Sequence, residues 1–374
     1  MNFICKKLEL SEAIINVSKA VPPKSSIPQL EGMKINLNGN QLNLTGYNLE
    51  LGITTTIEVN NVDNSTGEYI INPNLFSEMI KKMPTDDIEI DINQNDNMKA
   101  HIKAGNTNCN IAVLSSKDYP ELPNANDGNI ITVEQKTLKN MINQTIHAVS
   151  LSDIKPVLTG ELFDISQGSF NLVAIDGKRL SVRHENISYM DTQKFVVPSK
   201  TLNEVSRLLK DDAKEDCQIT NTSRHIMFQI GKYTLISRLL EGNFHDYKSS
   251  IPKEYKTEVI IKTKELINCL ERCSLLINDK NRAPIKLNFK DGMLGISCET
   301  PLGNIQEQMS VSMNGDGLLI GLNNKFLLEA LRVSDCDQLK IMMNSPIKPV
   351  VLIPMQGDSF TFLLMPIQLK ENQF

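Results

Sequence analysis

The pattern of hydrophobic and polar positions repeats three times along this chain. Segments that begin MNFICKKLEL, NIITVEQKTL and TEVIIKTKEL each show a short alternating stretch and then apolar residues at helical spacing. These patterns predict a β-strand followed by an α-helix of about three turns. Further alternating stretches follow each helix, and they predict antiparallel strands joined by tight turns. The turn signals are Asn38-Gly39, Gln167-Gly168 and Asp291-Gly292.

Each segment then runs through the same plan a second time. GEYIINPNLFSEMIKKM, QKFVVPSKTLNEVSRLL and DGLLIGLNNKFLLEALRV again predict a strand, a polar N-cap and a helix. The expected N-caps are Asn74, Ser199 and either Asn323 or Asn324. Three more strands close each segment, and the last of them is predicted over FTFLLMPI.

The repetition predicts an α+β protein of three repeated domains, each with two helices packed on antiparallel sheets. Stretches rich in proline or polar residues, YPELPNANDG and SSIPKEYK, mark the expected boundaries. The domains are therefore expected at residues 1–128, 129–252 and 253–374.

Charge is distributed unevenly over these elements. Basic residues outnumber glutamates on the predicted helices, although the whole chain carries a net charge of −5. Any single lysine on a helix is most simply a solvated side chain, but a shared basic bias suits contact with phosphates, which is independent of base sequence. The chain has no Trp, recognition helix or zinc finger, so neither base readout nor single-strand stacking is expected. The helical candidates for DNA contact are Lys81, Lys82, Lys136, Lys139, Lys200 and Arg207.

Motifs for catalysis, metal binding and export are missing from the sequence. The seven cysteines are scattered without a CxxC pair, and the five histidines are dispersed, so no zinc site, catalytic residue or cofactor is expected. Cys269 and Cys273 are interpreted as buried small hydrophobic residues, with a redox pair as the alternative. Neither a signal peptide nor an apolar run of about 18–20 residues is present, so we expect a cytoplasmic protein without a membrane partner.

Four short motifs stand in order inside the threefold repeat. They are IDGKRL at residues 175–180, EGNFHDY at 241–247, SPIKPVVL at 345–352 and LLMPIQL at 363–369. With them, the chain resembles the bacterial DNA polymerase III beta subunit family, the sliding clamps, along nearly its whole length. The resemblance implies the DNA clamp fold and a head-to-tail homodimer that forms a pseudo-six-fold ring, with helices inside and sheets outside. It also implies a non-catalytic processivity factor that encircles double-stranded DNA without reading its sequence.

The resemblance further implies a hydrophobic pocket that binds peptides of the replicative polymerase, the clamp loader, and repair and ligation proteins. An apolar slot of this kind would accept Leu or Phe anchors of an extended peptide, and its Met and aliphatic walls could repack around different partners. Taken alone, residues 176–179 would be an ordinary hairpin turn and LLMPIQL a core strand, which is compatible with a pocket built from strand ends. Carried over by position, the pocket residues are Leu158, Ile175, Gly177, Lys178, Arg179, Leu180, His245, Leu363, Met365, Pro366, Ile367 and Leu369. A neighbouring subsite would use Pro156, Val157, Asn323, Phe326, Ile347 and Pro349.

The chain departs from the family pattern at one wall of this pocket and at its end. His245 stands where the family usually has Pro, and Ser249 and Ser250 stand where it often has a basic or apolar residue. The residues KENQF extend beyond Leu369. They are either a disordered tail or a segment that folds back onto the pocket through Gln373 and Phe374.

The resemblance also places an interface between two copies of the chain. The edge strand near residues 108–113 of one copy would pair with the strand near residues 303–309 of the other. The interface residues would be Cys109, Ile111, Leu275, Leu276 and Glu307, and so few charges predict little dependence on salt. For DNA contact, the resemblance adds Lys24, Lys280 and Arg282. The alternative function is a peptide-binding scaffold that does not encircle DNA.

Overall fold

The computed structural model of the chain describes residues 1–93, 98–125, 127–211, 214–277 and 283–369. Strands are numbered β1–β26 and α-helices α1–α7 in chain order. The elements of the first repeat are β1 Asn2–Lys6, α1 Lys7–Val17, β2 Met33–Asn38, β3 Gln41–Tyr47, β4 Leu51–Glu58, β5 Asn60–Asn61, β6 Gly67–Ile71, α2 Pro73–Lys82, β7 Asp87–Asn93, β8 Lys99–Ala104 and β9 Thr107–Ser115.

The second repeat runs through the same order of elements without a counterpart of β5, and it ends with one additional short helix. Its elements are β10 Asn129–Glu134, α3 Gln135–Thr145, β11 Gly160–Ser166, β12 Ser169–Ile175, β13 Arg179–Asn186, β14 Gln193–Pro198, α4 Ser199–Leu208, β15 Asp216–Asn221, β16 His225–Ile230, β17 Tyr233–Arg238 and α5 Tyr247–Ser250.

The third repeat has the same order of elements as the first. They are β18 Thr257–Lys262, α6 Thr263–Cys273, β19 Ile285–Lys290, β20 Met293–Thr300, β21 Gly303–Ser310, β22 Ser312–Gly315, β23 Leu318–Leu322, α7 Asn324–Val333, β24 Gln338–Met343, β25 Val350–Pro354 and β26 Phe360–Leu364.

Matching helices have the same length, which supports the predicted repetition. The helices α1, α3 and α6 each have 11 residues, and α2, α4 and α7 each have 10. The strands β4, β13 and β21 each have 8 residues. Strand β3 begins at residue 41 and its counterpart β12 at residue 169. Residues in this part of the second repeat therefore correspond to residues of the first repeat whose numbers are smaller by 128.

Unit 1 comprises residues 1–138 and 203–239 and contains one thirteen-stranded sheet. Strand β17 of the second repeat pairs antiparallel with β4 of the first, so that Tyr233 lies opposite Thr55 and Ser237 opposite Leu51. The sheet therefore continues from one repeat into the next. Helices α1 and α2 contact each other, and their apolar sides, including Ile14 of α1, are fully buried.

Unit 2 comprises residues 139–202 and the described residues from 240 onward, with a nine-stranded and a four-stranded sheet. Here β13 of the second repeat pairs antiparallel with β26 of the third, which places Leu180 opposite Leu363. The same kind of strand pairing thus joins successive repeats in both units. Helix α6 carries Cys269 and Cys273 into the core, and burial raises the pKa of Cys273 to about 12, so a reactive thiolate is scarce at neutral pH.

The turns and helix starts follow local side-chain chemistry, with two corrections to the predictions. The hairpins at 167–168 and 291–292 have both residues in the left-handed region, as a two-residue hairpin turn requires. The first N-cap is Asn72 and not Asn74: its side chain accepts a hydrogen bond from the Leu75 N–H at 3.0 Å. Pro73 follows it at the first helical position, where proline is favoured. In the first hairpin the turn is Gly39-Asn40, one residue later than predicted.

The third repeat gives one confirmed cap and one further correction. Asn323 caps α7 by accepting a hydrogen bond from the Phe326 N–H at 3.2 Å, whereas Asn324 is buried and donates to the Leu270 carbonyl at 3.1 Å. The strand predicted over FTFLLMPI ends at Leu364. Among the described residues, no helix has the length and hydropathy needed to cross a membrane.

Candidate functional site

An apolar cluster in unit 2 gathers several of the residues predicted to line the pocket. Ile175, Leu180 and Leu363 are buried in this cluster, and Leu158 packs against it half-buried. The adjacent strands β12, β13 and β26 bring the first three together. Tyr247 also belongs to the cluster, although it was not among the predicted pocket residues. The cluster therefore provides an apolar floor, and the exposed residues around it decide what can bind there.

The IDGKRL motif forms the turn between β12 and β13, as its composition predicts. The Asp176 Oδ1 accepts hydrogen bonds from the backbone N–H of Lys178 at 2.8 Å and of Arg179 at 3.0 Å. Gly177 has a φ of 85°, a conformation that favours glycine. The aspartate side chain thus closes the turn, which leaves Gly177 and Lys178 exposed and directs Arg179 inward.

Arg179 connects this turn to helix α7. Its Nε donates to the Asp176 Oδ2 at 3.0 Å, and its Nη1 donates to Glu329. Its guanidinium lies 4.2 Å from the ring centroid of Phe326, a residue of the predicted subsite. Arg179 is only 8% exposed, so it acts here as a paired structural cation that fixes the Phe326 ring. Sequence reasoning missed Glu329, because no local pattern links residues 150 positions apart.

The predicted pocket residues after β26 form a strip held by two backbone hydrogen bonds. The Met365 N–H donates to the Lys178 carbonyl and the Ile367 N–H to the Gly321 carbonyl, both at 2.8 Å. The Met365 side chain is 42% exposed and that of Ile367 37%. A Cβ on Gly321 would lie 2.6 Å from the Ile367 carbonyl oxygen, so the close approach of the strip requires glycine. Pro366 and Leu369 are half-buried within the strip.

Helix α5 fixes the wall at which this chain departs from the family pattern. The Tyr247 hydroxyl donates to the Asp164 Oδ2 at 2.8 Å, which anchors the helix to β11. Burial alone would raise the pKa of Asp164, but hydrogen bonds from Tyr247 and Lys194 and the nearby charge of Lys248 hold it below its usual value. The exposed His245 has its Nε2 3.0 Å from the Ser250 Oγ. The unusual residues at this wall therefore contact each other.

The remaining residues of the predicted subsite surround α7 and the loop before β25. Asn323 caps α7, and the side chain of Ile347 is 70% exposed in the loop, with Pro349 half-buried after it. Val157 is buried in the same cluster as the floor, whereas Pro156 is exposed. An exposed isoleucine so close to an apolar floor is suited to contact with an apolar partner.

A buried polar pair lies within β11 and the end of α3. The Thr145 hydroxyl donates to the Glu161 Oε2 at 2.6 Å. Burial raises the pKa of Glu161 to about 8, so the carboxyl is mostly protonated at neutral pH. The nearby His147 packs edge-on against Phe362, and its pKa is lowered to about 4 by burial and by the charge of Arg179. Both titratable groups are thus largely neutral near pH 7.

The residues proposed for DNA contact differ in their surroundings. In unit 1, Lys24, Lys82 and Lys136 are exposed and make no ion pair within the described ranges. Lys81 is paired with Glu78 at 3.2 Å, and Arg207 with Glu204 at 2.6 Å. In unit 2, Lys200 is exposed and Lys139 half-buried. The other two proposed residues, Lys280 and Arg282, lie outside the described residues, as do Gln373 and Phe374 of the C-terminal tail.

Two strand edges correspond to the predicted contact between copies. Strand β21 ends its sheet, and residues 107–112 of β9 pair only with β8 in the described chain. Near them, Leu275 is 77% exposed, Cys109 and Leu276 are half-buried, and Ile111 is buried. Glu307 is paired within the chain, because the Arg272 Nε donates to its Oε1 at 2.6 Å. This hydrogen bond lowers the pKa of Glu307.

Comparisons with known proteins agree with this fold along the chain. Family models described as the DNA polymerase III beta subunit match its N-terminal domain at residues 1–123, its central domain at 132–246 and its C-terminal domain at 248–368. The beta sliding clamp of Staphylococcus aureus is 30% identical over 378 residues, which cover 98% of this chain and 99% of that protein. The beta sliding clamp of Halalkalibacterium halodurans is 32% identical over 381 residues, covering 98% and 100%.

Solved structures lead to the same family. The DNA polymerase sliding clamp of Bacillus subtilis has a TM-score of 0.94 at 29% identity and covers 99% of this chain and 100% of that one. A sliding clamp of Pseudomonas aeruginosa bound to griselimycin has a TM-score of 0.93 at 25% identity, over 99% and 100%. These matches confirm the predicted DNA clamp fold. With three family models in order and relatives that align over nearly their whole length, the chain belongs to the bacterial DNA polymerase III beta subunit family, the beta sliding clamps.

Proposed function

We propose that this chain is the processivity factor of chromosomal replication, a non-catalytic ring of two copies that encircles duplex DNA and tethers the replicative polymerase. The observation that carries the proposal is the similarity to beta sliding clamps over 98% of the chain. Each copy would contribute three domains, at residues 1–128, 129–252 and 253–374, which gives six similar domains around the ring.

The strand pairings inside the chain support a head-to-tail closure between copies. Three successive antiparallel strands follow the first helix of each repeat. In two places the third of them pairs with the last strand of the next repeat: β4 pairs with β17, and β13 pairs with β26. The matching strands that remain are β21 and the free edge of β9. If their register follows that of β4 and β17, Gly303 lies opposite Ile111 and Glu307 opposite Thr107. This third pairing would join two copies and leave fewer exposed edges.

Contact with DNA would come from side chains that do not read bases. Lys24, Lys82, Lys136 and Lys200 are exposed cations suited to phosphates, and such contacts weaken as salt rises. The paired Lys81 would contribute less, because Glu78 already neutralises its charge. Sequence-independent attraction of this kind would let a closed ring move along the duplex.

Partners would dock through the apolar floor and its exposed rim. Ile347, Met365 and Ile367 offer exposed aliphatic surface beside the buried Leu180 and Leu363, an arrangement that suits Leu or Phe anchors of an extended peptide. The polymerase, the clamp loader, and repair and ligation proteins would compete for this site. Since the clamp of Pseudomonas aeruginosa is bound to griselimycin, we expect this chain to bind it as well.

The deciding experiment is topological. The protein is loaded onto nicked circular DNA by a clamp loader, and the DNA is then cut once. An encircling ring stays on the circle and leaves after the cut, whereas a scaffold that merely binds DNA would dissociate at the same rate from both forms. Equal dissociation rates would therefore refute encirclement.

A matched pair of variants tests how the ring closes. Leu275→Asp places a charge on an exposed apolar residue of the proposed interface, and Met190→Asp does so at a residue of similar exposure outside it, 69% against 77%. We expect the first to shift the native mass from twice 41.9 kDa toward a single chain and to abolish retention on circular DNA, and the second to change neither. A dimer that survives Leu275→Asp would argue against this closure.

A further inference from the structure

A groove of about 580 Å³ lies in unit 2 between the chain that follows α5 and the loop that precedes β25. Both walls are held together by one side chain. The Asn344 Oδ1 accepts a hydrogen bond from the Lys256 N–H at 3.1 Å, and its Nδ2 donates to the Glu254 carbonyl at 2.8 Å. The groove therefore has a defined shape before any ligand arrives.

The groove carries an excess of positive charge. Lys253, Lys256 and Lys348 line it, all three are exposed, and none makes an ion pair with a described residue. Glu254 is the single carboxylate among the lining residues. Some other exposed lysines of unit 2, such as Lys194 and Lys262, have acidic partners within 3.2 Å, whereas Lys290 has none among the described residues. Three unpaired lysines that line one groove repel one another, and a bound anion would relieve this repulsion.

The groove is continuous with the proposed peptide pocket. Ser250 lines the groove and is also the hydrogen-bond partner of His245 at the pocket wall. Pro349 lines the groove and belongs to the predicted subsite, and the exposed Ile347 immediately precedes Lys348. A peptide whose apolar anchor sits beside Ile347 would therefore continue past these lysines.

We propose that this basic groove binds acidic residues that flank the apolar anchor of a partner peptide, and so selects partners in which the anchor is followed or preceded by Asp or Glu. The inference rests on the proposed function, because it requires the pocket to bind the anchor. Charge pairs at the edge of such an interface increase the affinity modestly, and their contribution decreases as the salt concentration rises.

The test measures the binding of fluorescein-labelled peptides to the full-length protein by fluorescence anisotropy. One peptide carries three aspartates before a Leu-Phe anchor and a second carries them after it, and each is compared with a counterpart that has asparagines instead. We expect one acidic peptide to bind about fivefold tighter than its counterpart at low salt, and the difference to shrink at about 0.5 M salt. Lys253→Gln with Lys348→Gln should abolish the preference, and Glu254→Gln should increase it.

Lys290→Gln is the matched control, because Lys290 is an exposed lysine on β19 in the other sheet of unit 2 and makes no ion pair with any residue that the structure describes. The inference is overturned if acidic and neutral peptides bind equally, or if Lys290→Gln weakens the preference as much as the groove variants do. It is also overturned if the groove variants lower retention on circular DNA and leave the peptide preference intact, since the groove would then serve the phosphates of DNA. Failure of every peptide to bind would refute the pocket itself, which distinguishes that outcome from failure of the groove alone.

Discussion

The first and second repeats contain the same turn, but one copy borders a closed apolar cluster and the other borders the proposed pocket. The Asn48 Oδ1 accepts hydrogen bonds from the backbone N–H groups two and three positions later, at 3.0 and 2.7 Å. Asp176, 128 positions further on, makes the same two bonds at 2.8 and 3.0 Å. The residue that follows is in the left-handed region in both turns, Leu49 with φ 72° and Gly177 with φ 85°. The backbone is thus conserved between the two sites, and only the side chains around it differ.

In the first repeat, a side chain fills the space beside Gly52, the residue that follows the turn. A Cβ on Gly52 would lie 2.3 Å from the Leu122 Cδ2, so Leu122 occupies the space directly above it. Leu30 is fully buried in the same cluster. In the second repeat the matching positions hold Leu180 and Leu158, and Leu158 stays half-buried. The surface there remains open to a ligand.

Buried polar residues mark the second site and are absent from the matching positions of the first. Leu51 of the first repeat corresponds to Arg179, and the fully buried Met33 corresponds to the equally buried Glu161. Apolar residues are sufficient to form a core. Buried polar residues carry an unfavourable desolvation free energy unless hydrogen bonds or ion pairs compensate for it. The open site thus differs from the closed one in its side chains and not in the backbone of the turn. Each side chain can be exchanged separately for the residue of the first repeat.

The largest effect is expected when Arg179 is replaced by the residue of the first repeat. Arg179→Leu leaves Asp176 and Glu329 without their cation and frees the Phe326 ring. We expect the free energy of unfolding to fall by about 3 kcal/mol, as is usual when one partner of a buried ion pair is removed. Urea unfolding measures this loss, and the anisotropy assay should show weaker peptide binding. Glu329→Gln is the milder control, because it leaves the Asp176 pair intact. Unchanged stability of Arg179→Leu would mean that the pairing contributes no net free energy.

The reverse exchange tests whether the first site is closed by Leu122. Gly52→Leu introduces the residue of the second repeat into space that Leu122 already fills. We expect overpacking to lower the free energy of unfolding by about 2 kcal/mol, again measured in urea. The double variant with Leu122→Ala should regain part of this loss, since the smaller side chain makes room. If Leu122→Ala adds its full cost to that of Gly52→Leu, the two side chains do not compete for the same space.

Exchange of the buried carboxyl changes the dependence of stability on pH. Burial raises the pKa of Glu161 to about 8 in the folded state, above its value of 4.5 in the unfolded chain. The folded protein therefore keeps a proton that the unfolded chain releases, and this stabilisation is lost as the pH rises toward 8. Between pH 6.5 and 8 the free energy of unfolding should fall by about 1.5 kcal/mol. One titrating group can change it by at most about 1.4 kcal/mol per pH unit, and the slope becomes smaller as the pH approaches the pKa of 8.

Glu161→Met, which restores the residue of the first repeat, should flatten this decline. Urea unfolding at several pH values between 6.5 and 8 measures it. The lowered pKa of His147, about 4, makes stability fall as the pH drops through 6.5 toward 4, and this contribution is common to both proteins, so it leaves their difference unchanged. An unchanged slope in Glu161→Met would mean that Glu161 is not the group that titrates.

Periodicity and turn chemistry were enough to predict the repeated elements, because each depends on neighbouring residues. The cap expected at Asn74 and the turn expected at Asn38-Gly39 were each misplaced by one or two residues. The larger failures come from non-local causes. The strand predicted to include Pro366 ends at Leu364, since the strip after it is held by the carbonyls of Lys178 and Gly321 and not by a strand ladder. Glu329 joins Arg179 from 150 positions away. The resemblance to a family supplied the pocket residues, but side-chain partners brought together by tertiary folding leave no pattern along the chain.

The smallest expected effect concerns the strip that follows β26. Gly321→Ala forces the Ile367 carbonyl away from a Cβ that would lie 2.6 Å from it, so Met365 and Ile367 must move while the buried floor stays in place. We expect peptide affinity to fall about tenfold, from the added cost of ordering a displaced rim, with little change in stability. Gly295→Ala in the same sheet is the control, because its Cβ would meet Asn288 at an ordinary 3.7 Å. Peptide anisotropy compares the two variants. Equal losses of affinity would show that any added methyl group disturbs this sheet, and that Gly321 has no particular role in placing the strip.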